Sequence, residues 1–127
     1  SILQRLITEQ LTLKLLDGVV SSLQKYLDAL EASDEERCEM IKRHTINGLY
    51  DIAEQLGCSG MMHVFEQSRP TGYFFFPLKS IHELFSTVAT TTAILFCPDR
   101  LYCSTNEPLP TVDDLFKFIG QINMAYQ

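Results

Sequence analysis

The apolar residues near the start of the chain recur with the period of an α-helix. They are separated alternately by three and four positions, which places them along one side of a helix. The members of this row are Leu13, Leu16, Val20, Leu23, Leu27 and Leu30. A second apolar row, Leu11, Leu15, Val19 and Tyr26, widens the stripe beyond the narrow seam of a coiled coil. The pattern predicts a helix over about residues 2–31, with an apolar face wide enough to serve two neighbours.

A second helix is expected to begin directly after the first. Ser33 or Asp34 can cap it, because a short polar side chain accepts a hydrogen bond from the free N–H groups of a first helical turn. The carboxylates that follow suit the positive end of the helix dipole. The helix should stop at Gly57, and Gly48 is a weak point in its middle. The two helices are predicted to pair as an αα-hairpin.

The second half of the chain has the pattern of strands interrupted by a helix. Apolar or β-branched runs bounded by turn residues predict strands over residues 61–66, 73–76, 90–97 and 101–105. Between the two pairs of strands, Ser80 and Glu83 have the spacing of a capping box and open a short helix. Thr111 is expected to cap a last helix.

The predicted element order is therefore α-α-β-β-α-β-β-α. Two hairpins separated by a helix most simply form one antiparallel sheet, so the expected fold class is α+β, with the N-terminal helical hairpin packed on the sheet. The 127 residues are expected to form a single domain, 1–127. The chain starts with Ser1 and not with Met, so it is either a processed chain or a fragment, and we expect a fragment of a larger protein.

The charge balance of the chain disfavours two classes of partner. The net charge is −6, and both halves carry more Asp and Glu than Lys and Arg. Binding to nucleic acid depends on Lys and Arg that neutralise phosphates, so we expect no nucleic acid partner. No apolar run approaches the ~18 residues that cross a bilayer, so we expect no membrane insertion either.

The cysteines indicate where the protein is found. Cys38, Cys58, Cys97 and Cys103 lie among apolar neighbours, and the sequence has no Asn-x-Ser/Thr site that would support secretion. Buried free thiols fit this setting better than a disulfide framework, which is typical of small secreted chains. The expected location is intracellular, cytoplasmic or nuclear.

No motif in the sequence predicts chemistry. The histidines, His44, His63 and His82, lack the close pairing with other ligands that zinc sites usually show. The six glycines are scattered and form no phosphate-binding loop. The carboxylate clusters fall in first turns of predicted helices, where the helix dipole explains them. We therefore expect no catalytic site, no cofactor and no metal, and a protein that is not an enzyme.

The function predicted from these observations is protein–protein interaction, in a regulatory or scaffold domain. The expected partner is another protein or a second copy of the chain, bound through Leu13, Leu16, Val20, Leu23, Leu27 and Leu30. Two alternatives stay open. Residues 73–76, four consecutive aromatics, could line the pocket of a small-ligand sensor, and an enzyme could use Cys97 or Cys103 with His82.

Overall fold

The computed structural model describes residues 1–57, 80–97 and 110–125 of the chain. This part contains four helices and is 90% helical. In chain order they are α1 (Ile2–Glu31), α2 (Glu35–Leu56), α3 (Ile81–Phe96) and α4 (Val112–Ala125). None of these four helices combines the length and the apolar character needed to cross a bilayer.

The predicted α+β class is wrong, because the described residues contain no strand. The clearest conflict is at the strand expected over residues 90–97, because residues 90–96 are helical and belong to α3. The other three predicted strands, at residues 61–66, 73–76 and 101–105, lie outside the described residues. Within the described ranges, the N-terminal hairpin therefore packs against two further helices and not on the predicted sheet.

The threonines of α3 show why a β-branched run can form a helix here. The Oγ1 atoms of Thr87 and Thr92 donate hydrogen bonds of 2.8 and 2.7 Å to the backbone carbonyls of Glu83 and Val88, four residues earlier. Such bonds satisfy a buried hydroxyl within the helix itself. Strand propensity is a weak, context-dependent preference, and burial overrides it.

The helix boundaries in the first half of the chain follow from local capping. A carboxylate oxygen of Asp34 accepts a hydrogen bond of 3.1 Å from the backbone N–H of Arg37 and begins α2. Gly57 ends it with φ of 69°, a left-handed conformation that glycine adopts without steric strain. The helix continues through Gly48 without a break. As predicted, α1 and α2 pair as a hairpin, joined at Ala32, Ser33 and Asp34.

The core lies between the four helices, and α1 contacts each of the other three. The side chains that are completely buried come from every helix, and they include Leu16, Leu23, Leu49, Leu84, Phe85 and Leu115. Most of the wide apolar stripe of α1 thus has an intramolecular explanation, because α1 packs against α2, α3 and α4 at once; Leu11, Leu15 and Leu30 are the exceptions.

Candidate functional site

Most of the residues expected to bind a partner lie inside the fold. Leu13, Leu16, Val20 and Leu23 are at most 2% exposed and form part of the core between the helices. Leu27 is half-buried against that core. Only Leu30 is well exposed, at 47%. In the folded chain a partner can therefore reach the C-terminal end of this row, whereas its other members stabilise the domain itself.

Besides Leu30 and the terminal Ile2, the exposed apolar side chains of α1 lie on another face, in its first half. Leu3, Ile7, Leu11 and Leu15 are 67, 49, 51 and 46% exposed, and we call these four residues the outer ridge. They are spaced by four positions, which is the spacing of one continuous ridge on a helix surface. Twelve residues at a rise of 1.5 Å make the ridge about 18 Å long.

Sequence reasoning found only half of the outer ridge. Leu11 and Leu15 were recognised as a second row beside the predicted binding face, but Leu3 and Ile7 were missed. The signal was present in the unbroken spacing of four from Leu3 to Leu15. In an amphipathic helix with one buried face, apolar residues on the opposite face have no packing role.

A groove between α1 and α4 adjoins the outer ridge. It has a volume of about 530 Å³. Ile7, Leu11 and Leu13 line it from α1, and Phe116, Ile119 and Gly120 line it from α4. A Cβ atom placed on Gly120 would meet no other atom within 4 Å, so the α4 backbone is open to close approach there. Lys14 and Asp17, whose charges are opposite, are the charged residues of the groove.

Reciprocal capping at Thr111 begins the helix that forms one wall of this groove. The Thr111 hydroxyl accepts a hydrogen bond of 3.1 Å from the backbone N–H of Asp114. In return, an Asp114 carboxylate oxygen accepts one of 3.0 Å from the backbone N–H of Thr111. This second bond holds the pKa of Asp114 below its usual value. Because the charged carboxylate is the better acceptor, the arrangement stabilises the start of α4.

A second cleft lies at the end of the bundle near the turn between α1 and α2. It has a volume of about 450 Å³ and contains Cys38, Glu39 and Lys42. The rings of Tyr26 and Phe96 are in contact, with their centroids 4.7 Å apart. The Lys42 Nζ atom lies 5.7 Å from the Tyr26 centroid and 6.0 Å from that of Phe96. These distances are within the range of a cation–π interaction.

The charges in this cleft do not produce a catalytic group. Partial burial alone would lower the pKa of Lys42, but Tyr26 and Glu39 outweigh this effect and raise it. The Lys42 Nζ atom is 3.5 Å from a carboxylate oxygen of Glu39. Lys42 therefore stays protonated and is a poor general base. Cys38 is 7% exposed and packs in the core. The cluster is accounted for by a lysine that covers an aromatic pair.

The structure does not bring Cys97 and His82 together, which is one of the two pairs of the proposed cysteine enzyme. His82 is in the first turn of α3 and Cys97 follows its last residue. Cys97 is fifteen positions after His82, so a rise of 1.5 Å per residue separates their backbones by about 22 Å. Cys103 lies outside the described residues, as do residues 73–76 of the proposed ligand pocket. Within the described ranges, no three His, Cys, Asp or Glu residues are grouped so as to hold a metal ion.

Comparisons of the chain with protein family models, with curated proteins and with solved structures gave no match. The outer ridge and the adjoining groove are therefore interpreted from their own geometry.

Proposed function

We propose that this domain is a protein-interaction module that binds an amphipathic α-helix of another protein across the outer ridge and the groove between α1 and α4. The observation that carries the proposal is the position of the outer ridge. Four apolar side chains in one row are about half or more exposed, and two of them, Ile7 and Leu11, also line the groove.

The size of the outer ridge favours a different protein over a second copy of the chain. Its four side chains together expose about as much surface as two whole leucines. Burying a whole leucine or isoleucine gives ~1.5–3 kcal/mol, so two symmetric ridges would give ~6–12 kcal/mol. Association itself costs ~4–15 kcal/mol. A dimer that buries only this ridge would therefore gain little net free energy. A stable dimer usually buries ~800 Å² of surface on each partner.

A partner helix bound in the groove would contact more of the domain than the outer ridge of a second copy of the chain would. It would bury the outer ridge on one side and reach Phe116 and Gly120 of α4 on the other. A ridge of residues spaced by four fits between the equivalent ridges of a second helix when the two axes cross at about −50°. Recognition of this kind uses partner residues at positions i, i+4 and i+7 as apolar anchors.

We also propose that the protein is intracellular, either cytoplasmic or nuclear. The support for this location is that Cys38 and Cys97 are free thiols in the described part of the chain. Free buried thiols are common in reducing compartments.

The experiment that tests the function is a selection of displayed amphipathic helical peptides on the immobilised domain. The affinity of each selected peptide is then measured by fluorescence anisotropy. We expect Leu11→Glu to weaken binding by at least about tenfold, which corresponds to ~1.4 kcal/mol. The carboxylate would lose hydration in the complex, which costs free energy, and the apolar contact of Leu11 would be absent.

Met40→Glu is the matched control for this experiment. Met40 is 62% exposed on α2 and belongs neither to the outer ridge nor to the groove. Both variants should keep the helical circular dichroism of the wild type, because both positions are exposed. Peptides that bind the two variants equally well, or a selection that yields no binder, would contradict the proposed function.

A further inference from the structure

No further inference is drawn: the strongest candidate, the cleft that Tyr26, Cys38 and Lys42 line near the turn between α1 and α2, offers a lone cysteine near a helix N-terminus, and nothing in the described part of the structure points to a ligand there.

Discussion

Gly48 of α2 faces Val19 of α1 at close range. A Cβ atom built on Gly48 would lie 3.5 Å from the Cγ2 atom of Val19, which is an ordinary van der Waals contact. The two helices of the hairpin are therefore near enough for a methyl group at position 48 to touch Val19. From this spacing we predict whether each of two substitutions at position 48 raises or lowers the free energy of unfolding.

Gly48→Ala is expected to stabilise the domain by up to ~1 kcal/mol. Alanine has a higher helix propensity than glycine, by about this amount in a helix interior. The added methyl group would contact Val19 without a clash. Urea denaturation followed by circular dichroism measures the change in the free energy of unfolding.

Two further glycine variants separate propensity from packing. Gly18→Ala gives the same increase in helix propensity, and a Cβ at position 18 would have no atom within 4 Å. It should therefore stabilise the domain to a similar extent. Gly48→Leu should instead destabilise the domain by ~1–3 kcal/mol, because the longer side chain overpacks the space beside Val19. A stabilising Gly48→Leu would show that the hairpin is less closely packed than described.

The two apolar rows of α1 should respond differently to truncation. Leu23 is completely buried, so Leu23→Ala should lower the free energy of unfolding by ~2–5 kcal/mol. Leu11 is 51% exposed, and Leu11→Ala should change this free energy by no more than ~0.5 kcal/mol. Chemical denaturation of both variants checks the prediction. Equal destabilisation by the two substitutions would mean that the outer ridge is part of the core.

Filling the groove at Gly120 should reduce binding without harming the fold. A Cβ at this position meets nothing within 4 Å, so Gly120→Leu is expected to fold normally and to gain some helix propensity. Its side chain would occupy the space into which the partner helix fits. We expect the selected peptides to bind this variant at least about tenfold more weakly, a loss of ~1.4 kcal/mol.

Gln121→Leu is the control for the groove substitution. Gln121 is the neighbouring exposed residue of α4 and does not line the groove. The added leucine should leave the anisotropy titration unchanged. Loss of affinity in both variants would point to a general effect of added apolar surface on α4.

The capping of α4 predicts a dependence of stability on pH. The pKa of Asp114 is lowered in the folded chain, first of all by the hydrogen bond from the Thr111 backbone. A carboxyl group with a lowered pKa stabilises the fold above its unfolded pKa of ~3.9, and this contribution is lost as the pH falls through the folded value. Asp114→Asn should therefore be less stable than the wild type at pH 7, with the difference shrinking in acid.

Asp113→Asn removes the same charge from the neighbouring position and serves as the comparison. Asp113 makes no reciprocal capping bond with Thr111 comparable to that of Asp114. Thermal unfolding from neutral to acid pH measures the difference between the two variants. If their pH profiles coincide, the effect belongs to the total charge of the first turn and not to the Thr111 cap.

Local signals predicted the first half of the fold because they agree with one another there. The periodic leucines, the cap at Asp34 and the stop at Gly57 all indicate the same two helices, and α1 and α2 occupy the predicted residues. The predicted start of α3 is also confirmed: the Ser80 hydroxyl accepts a hydrogen bond of 3.1 Å from the Glu83 backbone N–H. Caps of this kind depend on residues three positions apart, so the sequence reveals them directly.

The end of α3 could not be predicted from local preference. The β-branched residues from Thr90 onward favour a strand, whereas the structure continues the helix to Phe96. In the helical form Thr92, Ala93 and Phe96 are buried against the rest of the domain. The extent of this burial depends on residues that are distant in the sequence, so it cannot be read from the run of threonines alone.

The row of residues predicted to bind a partner lies mostly inside the fold, whereas the outer ridge is exposed. The row from Leu13 to Leu30 has the stronger helical periodicity, and this is the row that the core buries. Periodicity reports which side of a helix is apolar, but it does not say whether the neighbour is in the same chain. Only the positions of the three other helices show that the first four members of this row are enclosed and that the outer ridge is exposed.

The contacts of α1 with every other described helix have a consequence for how the domain opens. Detaching α1 would remove packing from α2, α3 and α4 together, so none of them can keep its full set of neighbours after that event. Amide protons in the interiors of these helices should then become accessible to solvent through a shared opening reaction. Hydrogen exchange of the domain would accordingly show one common protection free energy, and not a separate value for each helix.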